Sequence, residues 1–220
     1  MKPKSSFIQP FKELPDQLPI YPLENALLPG GELPLELSKP EDLALFIHAL
    51  KTNQLIGMVQ HKKDKQQSSL YEIGCAGRIR QYRERKDGKL NIMLTGICRY
   101  KIVEELPHKK GFLTAKVNWS NYENDYQTEI VNPEQIESFK TTLKKYFDQH
   151  KMQVDWNVLN TLPIEQIVNN LVLVMNLTIE DKQQLLEADT VANRLALFAS
   201  ILEQLSEPIL APTNNSKLVN

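Results

Sequence analysis

Cysteine is almost absent from this chain of 220 residues: Cys75 and Cys98 are the only two, too few for a disulfide framework or a structural zinc site built on thiolates. Neither sign of charge is in excess. The 26 basic and 27 acidic residues leave a formal net charge of -1, so no overall pull draws the chain to nucleic acid or an anionic membrane, and such binding would need a local patch. No apolar run approaches the ~20 residues of a membrane span, and residues 1–14 carry lysines but no continuous apolar stretch, which argues against a secretory signal. A cytoplasmic location is the resulting expectation. A glycine-rich phosphate loop is missing too. The one Gly-Lys pair, Gly88 with Lys89, falls in a hairpin turn, so ATP hydrolysis has no candidate site. His48, His61, His108 and His150 are scattered without metal-ligand spacing. No nucleophile, base and orienting group are brought together by sequence, and no catalytic residue, metal or cofactor is assigned.

What is present begins with proline. Pro19, Pro22, Pro29 and Pro34, with Gly30 and Gly31, constrain residues 18–37 and exclude helix. From Glu32 to Ser38 the alternation places Leu33, Leu35 and Leu37 on one face of a strand, and Pro34, which cannot donate to a ladder, predicts a sheet edge or bulge. A helix follows, with Ser38 and Glu41 in capping-box spacing, Pro40 in the first turn, and a stripe of Leu43, Phe46, Ile47 and Leu50.

Leu55 to Val59 reads as a short apolar strand. Tyr71 to Arg80 and Leu90 to Ile102 alternate as a hairpin, for which Asp87 and Gly88 suit a two-residue turn. On a regular register Ile79 faces Gly96, Gly77 faces Cys98 and Cys75 faces Tyr100, with Arg78, Arg80, Arg99 and Lys101 sharing the opposite face. Leu113 to Trp119 supplies another strand. From Asn132 onward the period becomes helical, with helix starts at Asn132 and Thr178 and stripes through Phe139, Leu143, Ile167, Val168, Leu185, Leu195 and Phe198. The pattern is α+β: a β-rich domain, then a helical one.

Three motifs in order carry a resemblance. Leu18, Pro19, Ile20, Tyr21, Pro22 and Leu23, with Leu28, Pro29, Gly30 and Leu33, Pro34, Leu35, form the first. Ile73 to Ala76 with Arg78 and Ile79, Asp87 to Lys89, and Gly96 to Tyr100 form the second; Asp181 to Glu187 forms the third. Together they resemble the LON domain, the N-terminal substrate-binding region of the ATP-dependent Lon protease, and specifically its stand-alone bacterial members. One departure is Glu36, where arginine is commoner. The resemblance implies a PUA-like β-barrel with one inserted helix, followed by an all-helical subdomain. The expected boundaries are a flexible arm over residues 1–18, the β domain over 19–125, the helical subdomain over 126–206 and a flexible tail over 207–220. It also implies recognition of polypeptide segments, with no room left for a protease domain.

Two candidate surfaces follow. Leu27 and Leu28, in the loop before Pro29, are candidate anchors for an extended peptide, the alternative being a lid folded back on the barrel. Met93 and Ile97 are expected on the outward hairpin face, where they make the surface amphipathic. The second surface is a basic patch of Arg78, Arg80, Arg99 and Lys101. The expected partners are unfolded or hydrophobic polypeptide segments and a protease or chaperone that works with them; RNA, held by the basic patch, is the alternative.

Overall fold

Alternating residues before Trp119 and helical periods after Asn132 become two layers in the computed structural model, which describes residues 9–62, 69–107 and 111–206. The strands are β1 (Gln17–Leu23), β2 (Glu32–Leu37), β3 (Leu55–Gln60), β4 (Ile73–Glu84), β5 (Leu90–Leu106) and β6 (Thr114–Asn118). Helix α1 (Pro40–Lys51) is inserted after β2; α2 (Pro133–Gln149), α3 (Trp156–Thr161), α4 (Ile164–Val174), α5 (Ile179–Glu187) and α6 (Val191–Ser206) follow the sheet. The strand order is β2-β5-β4-β3-β1-β6, with β6 also pairing to β5. Strands β1, β3, β4, β5 and β6 therefore pair in a closed circuit, and β2 is an edge, where Pro34 costs no ladder bond. Only β1 and β3 run parallel. The 17 residues of β5 make this possible: its first part, Leu90 to Thr95, pairs with β2, and its last, Lys101 to Leu106, with β6.

Two apolar clusters lie on opposite faces of the strands. Leu18, Ile20, Val59, Ala76, Cys98, Tyr100, Ala115 and Trp119 fill the interior of the circuit. Leu28, Leu33, Ile56, Met58, Cys75, Ile79 and Leu94 face outward onto the helices, where they join Phe139, Leu143, Val168, Val172, Leu185 and Phe198 in one continuous core. Close approach demands glycine at Gly96, whose N–H donates to the Gly31 carbonyl at 2.8 Å and whose carbonyl accepts from Gly30 N–H at 2.8 Å. A Cβ there would strike the Leu28 carbonyl oxygen.

The register differs from the regular one by one residue around Cys75 and, between two bulges, by two around Ile79. Arg85 N–H donates to the Lys89 carbonyl and Gly88 N–H to the Arg85 carbonyl, so the loop is Lys86, Asp87 and Gly88, with Gly88 at φ +78°. A three-residue turn of this kind replaces the expected two-residue one. Cys75 consequently faces Arg99, Ala76 faces Cys98 and Ile79 faces Leu94. Register shifts leave Arg80, Ile97 and Val103 as extra residues without a partner across the ladder. A slip of one residue exchanges the faces, which is why Cys75 lies in the helix-facing core and Cys98 inside the barrel.

The helix starts follow local chemistry. Asn132 caps α2 through the Glu134 N–H, and Thr178 and Asp181 form a reciprocal capping box on α5. The short helix α3, capped by Asp155, was not apparent from periodicity. The Ser38 box does not form: the N-cap is Lys39, without a side-chain bond, and Pro40 starts α1. Residues 9–18, expected in a loose arm, are tied down: Trp119 Nε1 donates to the Pro15 carbonyl at 2.8 Å, Tyr126 Oη to the Gln9 carbonyl at 3.1 Å, and β1 begins at Gln17. Residues 1–8, His108 and the tail 207–220 lie outside the described residues.

Candidate functional site

Across the end of the sheet where β2, β5 and β4 lie side by side, a groove of about 520 Å3 opens. Three consecutive residues from each strand line it: Pro34 to Glu36, Asn91 to Met93, and Gln81 to Arg83. In register, Pro34, Met93 and Gln81 form one row, and Glu36, Asn91 and Arg83 the next, on the face turned away from the helices. Leu35, Ile92 and Tyr82 form the row between, on the opposite face. Ile92 is buried, Leu35 half-buried, and Tyr82 is 57% exposed with its ring edge-on to Phe46 at 5.3 Å. On the other face the exposed Pro34 and the half-buried Met93 present apolar surface beside an edge strand. At one end, Glu36 accepts from Arg85 at 2.8 Å and Lys89 at 2.6 Å, and Arg85 also pairs with Asp87 at 3.1 Å. The Lys89 hydrogen bond holds the Glu36 carboxyl below the usual carboxylate range. The turn is in this way clamped to β2, and its charge is largely neutralised.

Met93 is the one expected anchor that reaches this groove. Leu27 and Leu28 are 1% exposed, because the loop folds over Gly96 and is gripped from α4, Asn169 Nδ2 donating to the Pro29 carbonyl at 3.1 Å. They are core, as the lid alternative anticipated. Ile97, turned by its bulge, packs partly buried against the barrel interior cluster near Leu14 and Tyr126. Tyr82, Leu35 and Asn91 were missed. The one available signal was Tyr82 itself, an aromatic in the charged run from Arg80 to Arg85.

The basic patch is not assembled. Arg99 is buried: its guanidinium pairs with Asp125 (Nη2 to Oδ1 2.8 Å) and donates to the carbonyls of Leu186, Glu187, Ala188 and Asp189 at the C-terminal end of α5. It also lies 5.1 Å from the centre of the Tyr122 ring. One side chain therefore joins barrel to helices and meets the negative end of a helix dipole. Desolvation opposes its charge, but Asp125 outweighs this and holds its pKa above the ordinary value. Arg99 keeps the expected face, opposite Cys98 and Tyr100, and is buried because the helices cover that face. Lys101 pairs with Glu72 at 3.1 Å on the surface, Arg78 is half-buried beside Ile97, and Arg80 is exposed at its bulge.

Cys75 and Cys98 are fully buried free thiols on opposite faces, and burial pushes both pKa values up. They are neither a redox pair nor activated nucleophiles. Among the described residues no group of three or more histidine, cysteine or acidic side chains could hold a metal ion, and no helix is long and apolar enough to cross a membrane.

The family model described as the ATP-dependent protease La (LON) substrate-binding domain matches residues 17–204. The chain belongs to that family. This LON domain is 25% identical over 208 residues to a Lon protease of Anaeromyxobacter dehalogenans, covering 89% of this chain and 24% of the relative. It is 26% identical to Lon protease 2 of Myxococcus xanthus, with the same coverage. The chain thus spans about a quarter of these relatives' length. Its fold matches the Lon N-terminal domain protein from Xanthomonas campestris with a TM-score of 0.63 at 19% identity, covering 84% of this chain and 97% of that one. It matches the N-terminal domain of Mycobacterium avium complex Lon protease at 0.62 and 17%, covering 88% and 100%. The α+β fold is the one these two structures share with it.

Proposed function

We propose that this LON domain captures extended, apolar polypeptide segments in the groove between β2, β4 and β5, and acts as a recognition module without bond-making chemistry of its own. The observation that carries this reading is the groove itself, open beside an edge strand with the exposed Pro34 and the half-buried Met93 paired on one face of it, in a family described as substrate-binding. A groove of about 520 Å3 is within the size range of ligand clefts, and strand edges accept extended chains. The charge around it favours peptide over RNA, since Arg85 and Lys89 are paired with acids and Arg99 is buried. Delivery of captured segments to a separate protease or chaperone is the finer role this reading assigns, supported by likeness to the N-terminal quarter of Lon proteases.

The test is fluorescence anisotropy with a labelled, permanently unfolded polypeptide. Met93→Glu and Pro34→Glu, in one row of the groove, should each weaken binding about tenfold, equivalent to ~1.4 kcal/mol. Val103→Glu, at a 65% exposed bulge outside the groove, should leave it unchanged. Equal affinity in all three variants, or no binding by the parent, would overturn the reading.

A further inference from the structure

A second cleft, of about 550 Å3, lies between the β1–β2 loop and the α4–α5 connection, with Leu23, Glu24, Asn25, Leu177, Ile179 and Lys182 in its walls. Lys182 is 9% exposed. Its ammonium donates to Asn25 Oδ1 at 3.0 Å, a neutral oxygen that already accepts the Ala26 N–H at 3.2 Å. Among the described residues no carboxylate pairs with it. A cation taken out of water ordinarily has an anion beside it, and an ammonium offers more donors than this single bond uses. Burial without a counter-charge draws the Lys182 pKa below the usual lysine value.

The same cleft holds the start of α5. Thr178 Oγ1 accepts the Asp181 N–H at 3.0 Å, and the first helical bond is Lys182 N–H to the Thr178 carbonyl, so the N–H groups of Ile179 and Glu180 precede the helix's own bonding. Leu23, Leu177 and Ile179 provide apolar wall, and Glu24 is exposed at the margin.

We infer that this cleft is a carboxylate-binding subsite, in which the Lys182 ammonium receives a peptide carboxylate while an adjoining apolar side chain rests on Leu23 and Leu177. The carboxylate comes from either a chain terminus or an acidic side chain. The subsite is separate from the groove and does not rest on the reading of that groove.

The test uses the full chain and three short probes: N-acetyl-Val-Leu with a free carboxylate, its C-terminal amide, and amidated N-acetyl-Asp-Leu. Binding is followed by the amide resonances of Ile179 and Glu180 and the side-chain amide of Asn25. The free acid, the aspartyl probe or both should give saturable shifts, and the neutral amide should bind at least about tenfold more weakly. Whichever acid saturates identifies the terminal or side-chain source. Asn25→Asp supplies an internal carboxylate to Lys182; it should fold at least as stably as the parent and lose acid binding by about tenfold or more. Equal shifts with acid and amide, no shifts with any probe at millimolar concentration, or unaltered acid binding in Asn25→Asp would overturn the inference.

Discussion

Arg99 offers the sharpest quantitative test of how barrel and helices are joined. Its guanidinium bonds the buried Asp125 carboxylate and four carbonyls at the end of α5, and the side chains of Arg99 and Asp125 are 4% and 6% exposed. Replacing Arg99 with methionine keeps volume but strands that carboxylate, a loss of about 3–5 kcal/mol. Asp125 keeps the Arg99 backbone N–H at 2.8 Å, and Arg194 still donates to the carbonyls of Leu185 and Ala188, which places the expectation near the middle of the range, about 4 kcal/mol. With a urea m-value of about 2 kcal/mol/M for a domain of this size, the midpoint should fall by about 2 M. Urea unfolding followed by the fluorescence of the buried Trp119 measures it. Adding Asp125→Asn removes the stranded charge and should restore at least half of the loss. A midpoint unchanged by Arg99→Met, or a double variant whose losses simply add, would refute the clamp and return Arg99 to the surface patch.

Glycines set a second comparison. A Cβ at Gly74 would meet the Met58 carbonyl oxygen and lie 2.6 Å from the Tyr100 hydroxyl, so Gly74→Ala should cost about 3 kcal/mol or more by overpacking. Gly88 has φ +78° but open space, so Gly88→Ala should cost only about 1–2 kcal/mol of backbone strain; thermal unfolding in the reverse order would contradict the packing. The thiols set a third: Cys75 and Cys98 should be inert to a thiol reagent in the native protein, react together in urea, and form no disulfide with each other under oxidant. A native intramolecular disulfide would show that the register is wrong.

Much of the fold was legible because burial imposes periods. Alternation located the strands, Pro34 indicated the edge, and Asn132 and Thr178 marked helix starts that the structure caps as their chemistry requires. The site was less legible because it depends on register, and register depends on a turn one residue longer than the sequence suggested. Aspartate before glycine suits both turns; only the hydrogen bond from Arg85 to Lys89 separates them. Arg80, Ile97 and Val103 carry no local mark of a bulge, yet they decide which side chains face out. Arg99 sits in a run that reads as solvated charge, and its partners lie 26 residues away at Asp125 and farther still on α5. Leu27 and Leu28 lie in a loop without periodicity, so nothing short of the tertiary contacts with Gly96 and Asn169 could tell anchor from core.

Backbone amide mapping with an extended apolar peptide bears most directly on the central claim, because it reports location rather than affinity alone. The largest shifts should fall on Leu35, Gln81, Tyr82, Arg83, Asn91 and Met93, and should vanish in Met93→Glu. Shifts centred on Lys116 to Ser120, or spread evenly over the surface, would contradict a groove between β2, β4 and β5 as the place where this LON domain takes hold of a chain.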